Sequence, residues 1–178
     1  MKIRLKRKKV FRSWNKKDAL SILFVSEINR ICDRIINMEY RKVKENQYLV
    51  RASRGEGIIA SLKSFVRKEN IEGGFFMGLG AVDNLELAHY SVNDKKYSSK
   101  KYQIPLEMAS LIGSIGYFGK ELIIHAHGVF GKSDMETISG HVVEARVSGT
   151  AEIMVFITER LEKFYDEETG LKLFNLKK

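Results

Sequence analysis

Strand-length segments make up most of the chain, and only one segment has helical periodicity. Gln47–Ser53 alternates apolar and polar residues, as a half-buried strand does. The segment from Glu56 to Asn70 instead carries apolar residues at helical spacing. Turn residues separate seven further predicted strands: Phe75–Leu79, Asn84–Ser91, Glu107–Tyr117, Glu121–Phe130, His141–Val147, Thr150–Thr158 and Leu171–Leu176. This pattern predicts an α+β fold, a largely antiparallel β-sheet with one main helix.

Several of the predicted strands are apolar on both faces. In Glu121–Phe130 and Thr150–Thr158, apolar residues occupy odd and even positions alike. One helix can cover only one face of a sheet, so the second face needs another cover. A second copy of the same chain is the most economical one. We therefore expect an obligate homo-oligomer.

Charge is unevenly distributed along the 178 residues, whose formal net charge is +9. Residues 1–37 contain eleven Lys/Arg and three Asp/Glu, a net +8, whereas residues 38–178 contain twenty and nineteen, a net +1. We therefore divide the chain into a basic N-terminal extension, residues 1–37, and a main domain, residues 38–178. The domain's charge gives no reason to expect nucleic-acid binding, so contact with DNA is expected mostly through the extension.

The extension carries an apolar stretch, Ala19–Val25, that is too short to span a bilayer and lacks the cleavage site of a secretory signal. Its apolar spacing is compatible with an amphipathic helix. Alternatively, translation starts at Met38 and the extension is not native. The single cysteine, Cys32, excludes an internal disulfide. We expect a cytoplasmic protein without membrane contact.

Three histidines form the clearest candidate for chemistry. His125 and His127 are two residues apart on a predicted strand, so their side chains share a face, and His141 begins another strand that can approach them. Three converging imidazoles can hold a transition metal, by default zinc, and leave one coordination position open. The alternative is that they pair with backbone groups, or with one another across a subunit contact.

Other candidates have a structural interpretation that we prefer. Glu107 and Glu121 are potential acids or bases, and Arg146 is a potential ion-pair partner for either. His89 is expected to be structural. Gly78 and Gly80 follow a strand but precede no helix, which favours close backbone packing or a bulge over a nucleotide site.

Two lysine pairs, Lys95–Lys96 and Lys100–Lys101, lie next to Tyr97 and Tyr102. Basic residues interleaved with aromatic ones can bind nucleic acid. We interpret them as a solvated hairpin loop instead.

Four ordered blocks resemble the plant and prokaryote conserved (PPC) domain: Gly74–Val82, Glu107–Ile115, His125–Gly131 and Ser139–Val142. The resemblance covers residues 40–178 and implies an α+β domain that assembles as a homotrimer. Plant members carry AT-hooks, whereas stand-alone prokaryotic members are described as candidate DNA-binding proteins. This chain contains no Arg-Gly-Arg-Pro AT-hook core. The resemblance also implies a metal, by default zinc, at His125, His127 and His141.

A more distant similarity is to the fold of acetolactate decarboxylases, which use three histidines around zinc. By that analogy Glu107 would be an acid or base and Arg146 would bind a substrate carboxylate. Three functions are therefore expected. We prefer a DNA-binding or regulatory homotrimer with a three-histidine metal site. The others are a zinc-dependent lyase or hydrolase acting on a small carbonyl or carboxylate compound, and a purely structural trimeric module.

Overall fold

The structure, a computed structural model, describes residues 38–177. The predictions made for the N-terminal extension, including its helix and Cys32, lie outside the described residues. The described part contains one helix, α1 (Ile58–Lys68), and nine strands. The strands are β1 (Glu39–Lys44), β2 (Gln47–Ser53), β3 (Gly73–Ser91), β4 (Lys96–Tyr102), β5 (Leu106–Phe118), β6 (Glu121–Gly131), β7 (Thr137–Thr158), β8 (Lys163–Asp166) and β9 (Leu171–Phe174). The predicted α+β class, with a largely antiparallel sheet, is confirmed.

Seven strands form one sheet in the order β1-β2-β7-β6-β5-β3-β4, and β3 also pairs with β7. The pairings β7–β6, β6–β5, β5–β3 and β3–β7 therefore form a closed circuit, and all of them are antiparallel. Strands β8 and β9 form a separate hairpin. Within residues 38–177, we find no helix with the length and apolarity that a membrane span requires.

The helix supplies part of the core, as its sequence pattern predicts. Its apolar stripe is buried: Ile58, Ile59, Leu62, Phe65 and Val66. Gly57 precedes the helix, and glycine has no side chain that could cap it. The Glu144 carboxylate of β7 instead accepts hydrogen bonds from the backbone N–H groups of Ile59 and Ala60, at 2.8 and 3.1 Å. A carboxylate at this end also complements the helix dipole, so it ties α1 to the sheet.

Two of the predicted breaks between strands are wrong, because long strands run through them. Residues 80–83, between the predicted strands Phe75–Leu79 and Asn84–Ser91, lie within β3, and Ser148–Gly149 lies within β7, where shifts in register absorb the irregularity. The close-packing interpretation of Gly80 is confirmed, since a Cβ built there would lie 2.3 Å from the carbonyl oxygen of Thr150. Glycines that indicate turns in sequence can thus mark bulges and close strand contacts instead.

The lysine pairs do not form the hairpin loop that we predicted, because most of that segment is the edge strand β4. Its exposure to solvent is confirmed, and its partner is the second half of β3, with Tyr90 opposite Tyr97. Strands β1 and β8 were not predicted from the sequence, and the last strand ends at Phe174, two residues earlier than predicted.

One face of the sheet exposes apolar side chains, as the doubly apolar strands predict. Met77 of β3 lies opposite Ile112 of β5, and the two side chains are 52 % and 57 % exposed. Phe75 and Leu79, which alternate with Met77 along β3, are exposed as well. We call these four residues the apolar face. The expected oligomer remains a prediction.

Candidate metal centre

The three predicted histidines lie together on the outside of the strand circuit. His125 and His127 alternate with Ala126 and Gly128, which are buried, so both rings project from the same side of β6. Register places His141 of β7 directly opposite His127. One nitrogen from each ring lies within 4.8 Å of the others, and the ring centroids are 5.1–5.5 Å apart. The strands thus create the convergence that the spacing predicts.

Two of the three imidazoles, those of His125 and His141, lie where their uncharged forms are favoured. Burial lowers the pKa of His125 to about 4, and the neighbouring His141, His127 and Lys163 add to this effect. The pKa of His141 is also lowered, chiefly by burial and then by His127. Both rings are therefore neutral near pH 7 and keep a lone pair for a ligand.

The lone pairs of the cluster have no partners in the described part of the chain. Within residues 38–177, none of the three side chains makes a hydrogen bond, and Nδ1 of His141 is buried without a partner. A buried polar atom without a partner is costly and calls for an explanation. Three imidazole nitrogens that close together match the ligand set of a zinc site with one open position. The residues present fit a metal ion.

A cavity of about 890 Å³ adjoins the cluster. Its wall combines three regions: the end of β3 with Tyr97 of β4, the outer side of β6 and β7, and the β8–β9 hairpin. The centroid of the Tyr97 ring lies 5.4 Å from that of the His141 ring and 4.7 Å from that of the Tyr90 ring. The hydroxyl of Tyr90 donates to the carbonyl oxygen of Thr169 at 2.8 Å, which holds this wall to the hairpin turn.

The hairpin contributes a charged residue that the sequence analysis did not single out. Lys163 is only 8 % exposed, and its Nζ lies 3.8 Å from the centre of the Phe174 ring. It lines the same cavity as His125. Nothing in the local pattern marks Lys163, because one more lysine in a charged tail is usually a solvated residue.

The family assignment depends on a match over most of the domain. The sequence profile of the Plants and Prokaryotes Conserved (PCC) domain matches residues 41–159. The chain belongs to this family. The resemblance seen in the four sequence blocks, there abbreviated PPC, is thereby confirmed. A search of curated proteins found no match.

Solved structures share the fold of this PCC domain. A candidate DNA-binding protein from Bacteroides thetaiotaomicron is 27 % identical with a TM-score of 0.75, over 78 % of this chain and 96 % of the other. A metal-containing protein from Archaeoglobus fulgidus is 27 % identical with a TM-score of 0.68, over 79 % and 98 %. A plant- and prokaryote-conserved protein from Pyrococcus horikoshii is 28 % identical with a TM-score of 0.68, over 79 % and 96 %.

The PCC domain does not bring the predicted catalytic residues to the cluster. Glu107 is exposed and lies seven residues before Ser114, the position opposite His125, which is about 20 Å along the strand. Arg146 donates from Nε to Oδ1 of Asp83 at 2.8 Å and pairs with neither candidate carboxylate. A catalytic role for Glu107 or Arg146 remains a prediction.

The two remaining candidates lie closer to the cavity. Glu121 accepts a hydrogen bond from Lys172 Nζ at 2.6 Å. His89 is exposed and lines the cavity, but it is not one of the three clustered histidines.

Proposed function

We propose that this protein is a cytoplasmic homotrimer of the PCC family in which His125, His127 and His141 hold a zinc ion beside a ligand cavity. The observation that carries the proposal is the convergence of three imidazole nitrogens, in a cluster where Nδ1 of His141 is buried without a hydrogen-bond partner among residues 38–177. The metal-containing relative from Archaeoglobus fulgidus supports it. When bound, zinc would supply an electrophilic position for water or an anion.

The residues around this open coordination position would determine which ligand binds there. The three rings line the cavity, and the β8–β9 hairpin and Tyr97 form other parts of its wall. A bound ligand would therefore contact elements that are distant in sequence. This arrangement suits a regulatory protein whose hairpin responds to a small molecule.

Elemental analysis of the purified full chain tests the metal site. We expect about one zinc per chain, and less than about one tenth of that in His127→Ala, because two imidazoles hold zinc poorly. His89→Ala is the matched control, since His89 lines the cavity outside the cluster. Wild-type protein that stays metal-free after incubation with zinc, or unchanged zinc content in His127→Ala, would favour the purely structural module.

The homotrimer is supported by the apolar face. Exposed apolar surface of this kind is typical of a face that another subunit covers. Sedimentation equilibrium should give three times the chain mass of 20.4 kDa. Ile112→Lys should dissociate the assembly. Met135→Lys, an exposed methionine in the β6–β7 connection, should not. A monomeric wild type would contradict this part of the proposal.

DNA binding is a second candidate function. The relative from Bacteroides thetaiotaomicron favours it, and the net charge of +8 on residues 1–37 supplies an electrostatic basis. We expect affinity for duplex DNA to fall steeply with salt, and most of it to disappear when residues 1–37 are removed. Unchanged affinity in the shortened chain would place the DNA site on the domain instead.

A further inference from the structure

We propose that the cavity beside the three histidines binds a small organic carboxylate, whose negative charge is held by Lys163. The inference builds on the proposed metal site, because the ligand would lie against the same imidazoles. It adds the chemical class of the ligand and a second group that recognises it.

Lys163 is a buried cation whose donors are largely unused. An ammonium group has three N–H donors. Its Nζ makes one long contact, 3.4 Å to the carbonyl oxygen of Lys172, and otherwise faces the Phe174 ring. Among residues 38–177 no carboxylate lies within ion-pairing distance of it. A buried charge of this kind needs an anion, and the cavity is the space from which one can approach.

Lys172 provides the internal comparison. It lies on the partner strand of the same hairpin and also lines the cavity. Its Nζ, however, is 2.6 Å from Oε2 of Glu121 and packs over the Phe118 ring. The charge of Lys172 is therefore already neutralised, and that of Lys163 is not.

The cavity wall selects for an anion with an apolar body. Among residues 38–177 no aspartate or glutamate lines it, and apart from the lysines and histidines the lining is mainly aliphatic and aromatic. β6 and the hairpin contribute five apolar residues: Ile123, Ile124, Leu171, Leu173 and Phe174. Its volume of about 890 Å³ is in the range that encloses a small molecule. A carboxylate joined to an aromatic or branched aliphatic group fits both features.

Calorimetric titration of the full chain with benzoate tests the proposal. Benzamide, which has the same shape without the charge, is the matched ligand. We expect benzoate to bind more tightly than benzamide. Lys163→Met should weaken benzoate binding by at least about tenfold, since it removes a charged donor, and should leave benzamide binding unchanged. Lys172→Met should change benzoate binding much less.

Zinc content, measured on the same preparations, separates this proposal from the metal site. If Lys163→Met keeps its zinc and its circular dichroism spectrum but loses benzoate binding, both proposals stand. If zinc is never bound and benzoate binding still depends on Lys163, only the metal site fails. Benzoate binding that is absent in the wild type at millimolar concentration, or equal in Lys163→Met, overturns the carboxylate site.

Discussion

Two clusters of three side chains in this domain differ in whether their polar atoms have hydrogen-bond partners. The first is the histidine cluster. The second contains Tyr40 of β1, Tyr48 of β2 and Glu69, the residue that follows α1. The Glu69 carboxylate accepts hydrogen bonds from both hydroxyls, at 2.6 and 2.9 Å, and both tyrosine rings pack edge-on against Phe65. The polar atoms of this second cluster find their partners within residues 38–177, whereas those of the histidine cluster do not.

The two clusters also differ in what shifts the pKa values of their residues. The hydrogen bond from Tyr40 is the largest cause of the lowered pKa of Glu69, and that bond likewise raises the pKa of Tyr40. Burial is the largest cause at His125 and His141. A group that is stabilised by its partners contributes to the fold. A group whose pKa is lowered mainly by desolvation keeps its lone pair for a ligand that comes from outside.

The largest expected effect on stability is that of adding zinc to the histidine cluster. Zinc at a free concentration about 100 times its dissociation constant should stabilise the metal-free protein by about 2.7 kcal/mol, because it binds only the folded state. Urea unfolding with and without zinc measures this effect. His141→Ala should lose the zinc-dependent gain, and Glu69→Ala should keep it. An equal gain in His141→Ala would show that zinc binds elsewhere.

Removing a partner from the second cluster should have a somewhat smaller effect. Glu69→Ala leaves two tyrosine hydroxyls without their acceptor, and we expect a loss of roughly 1–2 kcal/mol in unfolding free energy, because the site is only partly buried. Glu45→Ala, an exposed residue in the β1–β2 turn, is the control. Stability equal to that of the control would mean that solvent replaces the carboxylate fully.

Acid should weaken the second cluster through Glu69. Its pKa is lowered in the folded state, so its contribution is fully present above the ordinary value of 4.5 and is lost as the pH falls through the lowered value. The stability difference between the wild type and Glu69→Gln should therefore shrink as the pH falls from about 4.5 through the lowered pKa of Glu69. Urea unfolding of both proteins across this range measures it, and a difference that stays constant would exclude Glu69 as the titrating group.

The histidine cluster was predictable from sequence and the rest of its surroundings was not. His125 and His127 follow from alternation along one strand, and His141 from the adjacent strand, all of which are short-range patterns. Lys163 and Tyr97 reach the cavity only because β8 folds back on β9 and β4 pairs with the end of β3. Both pairings are hairpins between consecutive strands, but it is the assembled fold that brings them beside the histidines of β6 and β7, so no local pattern reveals the cavity.

The same distinction between local pattern and tertiary arrangement explains the errors in the predicted fold. Ser148–Gly149 has turn composition, but pairing along both halves of β7 keeps it in a strand. The Tyr40–Tyr48–Glu69 cluster was missed because its members are polar residues far apart in sequence. Local composition thus predicted elements and one chemical motif, whereas tertiary pairing decided strand lengths and polar contacts.

The smallest expected effect is that of replacing Arg146. Its ion pair is a third kind of contact to set beside the two clusters. Its ion pair with Asp83 is satisfied, like the tyrosine cluster, but exposed to solvent, where such pairs contribute little. Arg146→Gln should therefore leave the urea midpoint, the zinc content and benzoate binding unchanged within error, and Glu107→Gln should behave in the same way. Loss of benzoate binding in either variant, with zinc retained, would indicate that the side chain reaches a site on a neighbouring subunit and would return it to the candidate catalytic residues.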